Sequence, residues 1–171
     1  MNILDFIMNR RSIRRYTGEK VSVEMLHDLL KAAMYAPSAV NKQPWHFILV
    51  QDAATLSDLS GLHPYASMLP KASAAIVVCG DENLANTPAY WPVDCAAATE
   101  NILLAAHGLG LGAVWLGVYP RPERINALAE YFHLPVNIHP FSMVSVGYPA
   151  EQKTRPERFK PERIHYEKWG V

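Results

Sequence analysis

Apolar and polar positions follow two rhythms along this chain, and each rhythm predicts a kind of element. Ile3, Phe6 and Ile7 fall on one face if residues 2–9 are helical. Val23, Leu26, Leu29, Leu30 and Ala33 repeat at the same spacing, behind Ser22 as an N-cap and with Glu24 in the first turn. That helix ends before Pro37, since the residue ahead of a proline is pushed out of the helical region. The stretch 36–45, APSAVNKQPW, carries two prolines among small polar residues and reads as a loop. Residues 46–50 and 72–80 are unbroken apolar runs of strand length, which predicts buried strands. Between them, 52–59 reads as a short helix capped by Asp52, and 60–64 as a turn. Residues 81–92 read as an irregular loop in which Tyr90 and Trp91, with His63 and Tyr65, are candidates either to roof a cavity or for surface packing or a dimer contact.

Asp94 is then expected to cap a helix that is small and apolar on nearly every side, from Cys95 to Ala106, and such a helix is a buried one. HGLGLG closes it, 113–118 is a third strand, 122–132 an amphipathic helix opening on proline, and 141–147 a fourth strand. From Tyr148 the character changes to three prolines and many charges, an extended arm over 148–171. Ile164, Tyr166 and Trp169 near its end call for something to pack on, and a partner subunit is the natural host. Helices and strands mix without regular βα alternation. The expected architecture is therefore α+β, one domain over 1–171 with a sheet sandwiched by helices.

Composition narrows the chemistry. Sixteen basic and sixteen acidic residues leave no net charge, which argues against a broad nucleic-acid-binding face but not against a compact anion site. No apolar run reaches membrane-spanning length and no signal-peptide pattern opens the chain, so a cytoplasmic protein is expected. Cys79 and Cys95 form no CxxC and read as small buried hydrophobes of a reducing compartment. Gly108, Gly110 and Gly112 close a helix and open a strand, the reverse of a dinucleotide-binding loop. The seven histidines are scattered singly, which gives no metal-ligand spacing and no Ser-His-Asp order.

Two clusters remain. Arg10, Arg11, Arg14 and Arg15 crowd six positions, broken only by Ser12 and Ile13. If extended, the segment puts Arg10, Ser12 and Arg14 on one side, and guanidinium forks with a hydroxyl suit a phosphate. A solvated basic edge or a nucleic-acid patch is the competing reading of the same run. The second cluster, Pro37, Ser38, Asn41, Gln43 and Trp45, places amides and a hydroxyl on a proline-stiffened loop, suited to the edge of a planar heterocycle or to an ordinary polar turn.

Taken in order, these segments resemble the nitroreductase family of flavoproteins, in its small single-domain branch. NRRSIRRYTGEKVS resembles that family's opening phosphate motif. APSAVNKQPWHFILV resembles its second motif, and DCAAATENILLAAHGLGLGAVWLGVYP is similar to its central helix–glycine–strand unit. GYPAE with RPERF and a terminal Trp completes the series. The resemblance implies a mixed, mainly antiparallel sheet between helices, a C-terminal arm exchanged in a homodimer, and FMN bound in the dimer interface. It implies that Arg10, Arg11, Ser12 and Arg14 line the phosphate, ribityl chain and pyrimidine edge. It further implies that Pro37, Ser38, Ala39, Asn41 and Gln43 of the other subunit cover the ring, and that Trp115, Leu116 and Gly117 turn backbone amides toward flavin N5 and O4. Arg158 would return to the phosphate, with Lys153 and Arg155 as weaker candidates. The implied reaction is ping-pong, from NADH or NADPH through the flavin to a small-molecule acceptor such as a nitroaromatic or quinone. No side chain acts as acid or base, and Arg14 gives electrostatic support. A flavin-using relative with a dedicated substrate (oxygen-dependent, desaturase or dehalogenase) and a non-catalytic flavin-binding module are the alternatives.

Overall fold

The computed structural model describes residues 2–170. Four strands form one antiparallel sheet in the order β1–β2–β4–β3: β1 (Trp45–Val50), β2 (Ala74–Asp81), β3 (Gly112–Gly117) and β4 (Ile138–Gly147). Five α-helices surround it: α1 (Ile3–Asn9), α2 (Val23–Met34), α3 (Ala53–Leu62), α4 (Trp91–Gly108) and α5 (Pro122–Tyr131).

Strand β2 shows why the sheet is covered on both sides. Every residue of it is buried, and successive side chains enter different cores. Ala74, Ile76 and Val78 meet α2 and α4 through Leu26, Leu29, Ala98 and Ile102. Ala75, Val77 and Cys79 meet the opposite layer, built from Leu56 and Leu59 of α3, Leu128 of α5, and Ile13 and Tyr16 of the N-terminal segment. A strand apolar at every position must be covered on both faces. The α+β sandwich expected from the sequence is what forms, and the four paired strands are all antiparallel. Both cysteines are free and buried, and burial pushes the Cys79 thiol up to about 12. Among the described residues no helix is long and apolar enough to cross a membrane.

The helix caps divide into two kinds. Ser22 accepts from Met25 N at 3.3 Å and Asp52 from Thr55 N at 2.8 Å, as their positions predict. Asp94 does not cap. The helix α4 opens three residues earlier, at Trp91, because Pro92 in its first turn needs no hydrogen-bond partner for a backbone N–H. Trp91 is accordingly no roof over a cavity. It is buried, stacked on His139 at 5.4 Å and edge-on to Phe141 at 6.3 Å. Strand β4 likewise begins before Phe141. The register skips from Ser142 to Pro140 opposite Val78 and Cys79, a bulge that accommodates the missing N–H of Pro140 and continues the ladder to Ile138.

From Tyr148 the chain leaves the sheet but first pairs with the N-terminal segment. Thr17 N donates to Tyr148 O at 3.0 Å and Ala150 N to Arg15 O at 2.8 Å. Beyond that point the arm is irregular, apart from a turn at Pro161–Arg163, and Phe159 and Trp169 stand 71 % and 88 % exposed.

Gly80 on β2 lies against Trp91, and a Cβ there would fall within 2.9 Å of the indole Cδ2, inside van der Waals contact. The Gly80→Ala variant is expected to lose about 1–3 kcal/mol of stability from overpacking, read as a lowered urea midpoint with an unchanged slope.

Candidate functional site

The arginine segment is extended, as its alternation predicts, and is held as a short strand beside the start of β3. Ile13 N donates to Ala113 O at 2.9 Å, and Ser12 bridges Ala113 in parallel. Ile13 and Tyr16 turn inward and are buried. The Tyr16 hydroxyl reaches Ile13 O at 2.9 Å and Ser145 O at 3.2 Å, and burial raises its pKa to about 12. With those two side chains as pegs, Arg14 and Arg15 are left exposed and Arg10 and Arg11 half-buried around them.

The arginines are divided between clefts. Arg10 and Arg11 line a cleft of about 410 Å³ with His107 and Lys153, over an apolar floor of Ile13, Leu103 and Leu111. They also line an adjoining one of about 330 Å³ together with Arg155, Arg158 and Phe159 of the arm. Arg14 lies instead in a third cleft of about 360 Å³ beside Ser67 and Lys71. Ser12 sits between them, its carbonyl accepting from Lys153 Nζ at 2.7 Å.

The first two clefts carry an excess of positive charge over one carboxylate each, Glu151 and Glu157. Among the described residues Arg10 has one long contact to a carboxylate, Glu100 at 3.6 Å, while Arg155 donates to Asp5 Oδ1 at 3.2 Å. Arg11 donates to the carbonyl of Met8, yet its buried Nε has no partner among the described residues. Burial, then Arg158, Arg10 and Arg155, pull the Arg11 pKa below its ordinary value. His107 is pulled down too, by burial and then by Arg10 and Arg11. A buried guanidinium nitrogen without an acceptor, among cations that repel it, is the complement of a multivalent anion.

Strand β3 supplies the second feature. It is an edge strand, and Ala113 turns its carbonyl away from β4 toward Ile13. In an antiparallel ladder alternate residues face alternate sides, so Trp115 and Gly117 also present their backbone groups to the open edge, while Leu116 faces β4. The outward carbonyl of Gly117 is already taken, by His63 Nε2 at 2.9 Å and Arg124 at 2.7 Å. Tyr65 N donates to His63 Nδ1 at 3.2 Å, which puts the imidazole proton on Nε2. Burial and then Arg124 hold the His63 pKa below its usual value, consistent with a neutral ring. His63 is therefore a buried support for the end of β3 rather than a cavity wall, while Tyr65 is exposed.

The amide loop lies elsewhere. Pro37, Ser38 and Ala39 line a shallow apolar cleft of about 290 Å³ with Tyr90, Val93 and Asp94, and touch none of the arginine clefts. Asn41 and Gln43 bond to one another, Gln43 Nε2 to Asn41 Oδ1 at 2.9 Å. Sequence reasoning did not single out Lys71, a lone lysine after Pro70, nor Glu151, and it took Asp94 only for a helix cap. Glu151 Oε1 accepts from Arg14 N at 2.6 Å and Arg15 N at 3.3 Å. Asp94 is buried and accepts from Ala39 N at 2.9 Å. Only Asp94 was legible as a polar residue out of place, a carboxylate heading an apolar helix.

An extended arginine strand, a returning basic arm and an open β-edge lie at one end of a helix-covered antiparallel sheet. The family model for the nitroreductase family matches residues 7–66 and 63–148, and the chain belongs to that family. It is 55 % identical over 170 residues to a protein of Archaeoglobus fulgidus that carries the provisional name NADH dehydrogenase/NAD(P)H nitroreductase, covering 97 % of this chain and 98 % of that one. The solved structure of a Parabacteroides distasonis protein with the same provisional name superposes with a TM-score of 0.94 at 40 % identity, covering 99 % of this chain and 100 % of the other. A provisionally named nitroreductase of Desulfovibrio desulfuricans, solved in complex with FMN, matches with a TM-score of 0.87 at 33 % identity over 99 % and 98 % of the two chains.

The Arg14 backbone amide, then the Lys153 side chain, and last the Arg15 amide hold the Glu151 carboxyl below the ordinary carboxylate range. A folded pKa below the unfolded one means that the stabilisation is complete above the unfolded value, about 4.3, and is lost as pH falls through the folded value. The Glu151→Gln variant is expected to be less stable at pH 7 and to show a shallower loss of stability on acidification below about pH 5 than the parent, measured by urea unfolding across a pH series.

Proposed function

We propose that this chain binds FMN between two copies of itself and acts as an NAD(P)H-dependent oxidoreductase. The observation that carries this reading is the buried, unpartnered Arg11 Nε within the Arg10–Arg155–Arg158 cluster. An FMN phosphate, with nearly two negative charges, would quench the repulsion among these cations. In this reading Arg10, Arg11, Ser12 and Arg158 hold the phosphate and ribityl chain. Arg14, joined by Lys71, faces the carbonyl edge of the pyrimidine and adds positive charge there. The Trp115 and Gly117 amides on the open edge of β3 donate to the ring, while Leu116 contributes packing from the ladder side.

Pro37, Ser38, Ala39, Asn41 and Gln43 would come from the second copy, which accounts for their distance from the arginine clefts within one chain. The exposed apolar side chains support the same assembly: Ile3 and Leu4 on α1, Tyr35 after α2, and Phe159, Tyr166 and Trp169 on the arm. Patches of this kind mark interaction surfaces. Residues 1–171 then act as one domain, exchanging the arm from residue 148 onward with the partner.

When bound, FMN would supply the redox chemistry, with NADH or NADPH as reductant and a nitroaromatic, quinone or similar compound as acceptor. The chain itself orients the ring, excludes water with the partner's loop, and places cations where negative charge accumulates.

The purified protein is expected to be yellow and dimeric, to bleach anaerobically with NADH or NADPH, and to recover colour with a nitroaromatic. A colourless protein that ignores added FMN would overturn the reading. Arg158→Ala is expected to weaken FMN about tenfold or more while leaving riboflavin binding unchanged, since a charged hydrogen bond to phosphate contributes about 1.5–3 kcal/mol. Equal loss for both flavins, in a fluorescence titration, would take Arg158 away from the phosphate.

A further inference from the structure

The loop of residues 37–43 is strained and barely attached. Val40, Asn41 and Gln43 have φ of 52°, 53° and 50°, in the left-handed region that non-glycine residues seldom adopt. Four hydrogen bonds stay inside the loop: Asn41 N to Ser38 O, Lys42 N to Ala39 O, Gln43 N to Ser38 Oγ, and Gln43 Nε2 to Asn41 Oδ1. Among the described residues, a single one joins it to another element, Ala39 N donating to Asp94 Oδ1 at 2.9 Å.

Asp94 is an unusual anchor. It lies one turn into α4 and is only 4 % exposed, in the lining of the cleft it shares with Pro37, Tyr90 and Val93. Its Oδ2 is buried with no partner among the described residues. The helix start does not require it, since Trp91 and Pro92 open α4 ahead of it. A carboxylate kept out of water, with one oxygen unpaired and the other on one loop amide, is costly for the fold alone. Shielded from water, the charge-assisted bond it does make is also a strong one.

We infer that Asp94 is a positioning residue. Through the Ala39 amide it holds residues 37–43 in the strained shape in which they cover the ring bound by the partner copy, and so it sets how the electron acceptor enters. The inference rests on the FMN reading above. Without the tether the loop spreads over several shapes, and acceptor affinity falls in proportion to the competent fraction that remains.

The test uses the full-length dimer and its Asp94→Ala and Asp94→Asn variants, with amide hydrogen exchange over residues 38–43 and steady-state kinetics with a nitroaromatic. In the Ala variant, exchange in that segment is expected to rise about tenfold in FMN-free and FMN-loaded protein alike, with β2 and β4 unaffected. FMN stays bound, and the acceptor KM rises about tenfold while kcat changes less than twofold. Asn keeps an acceptor oxygen but not the charge, so both effects shift the same way by less than half as much on a logarithmic scale. Should the Ala variant fail to fold, the isosteric Asn variant carries the same comparison. Unchanged loop exchange overturns the tether, and a loosened loop with an unchanged acceptor KM overturns its role in acceptor entry. A parent protein that binds no FMN sinks the FMN reading itself and is seen in the absorbance spectrum before either variant is made.

Discussion

Holding like charges side by side is the constraint on which the rest of this structure depends. Two cations about 5 Å apart repel by roughly 3 kcal/mol at an effective dielectric of about 20. Carboxylates answer this in part: Glu100 makes a long contact to Arg10, Asp5 accepts from Arg155, and Glu151 is shared between the Lys153 ammonium and the Arg14 amide. The backbone does the holding. Ile13 N is bonded to β3, Thr17 N and Arg15 O are bonded to the arm, and the buried Ile13 and Tyr16 lock the strand that carries the arginines. Local repulsion is thus opposed by groups that do not neutralise it, which leaves the charge available to a ligand.

The same choice explains the open edge of β3. An unpaired edge strand is normally a liability, exposed to pairing with any other chain. Here the N-terminal strand covers the edge only as far as Ala113, and His63 and Arg124 occupy the Gly117 carbonyl at its far end. What remains is short and rich in donors. An edge so reduced is a poor template for another strand.

The sheet, the sandwich and the arginine strand were legible because each depends on a period: two for β2, 3.6 for α2, and alternation for residues 10–14. The family resemblance was legible because its motifs lie in order along the chain. The start of α4 was misjudged because an acidic residue before an apolar run is the usual sign of a cap, whereas Pro92 had already opened the helix. The start of β4 was missed because Pro140 reads as a breaker, and only the register with Cys79 reveals a bulge that tolerates it. Lys71 beside Arg14 and Glu151 against the Arg14 amide carry no local signal, since each depends on a contact between remote parts of the chain.

That remoteness has a consequence for how the site comes together. Arg14 and Glu151 are separated by 137 positions, and Ser12 and Lys153 by 141. Contacts across such loops cost the most closure entropy and cannot reward the chain until the intervening sheet is in place. In the unfolded chain the arm cations are far from the arginine knot and scarcely repel it. In the folded chain they are forced together at a cost that the core must meet. An anion that binds only the folded arrangement removes that cost and adds its own binding free energy to the native state. A chain of zero net charge can therefore carry a strongly cationic site, because the opposing charges are spread over the rest of the surface and the site exists only once the two ends have met.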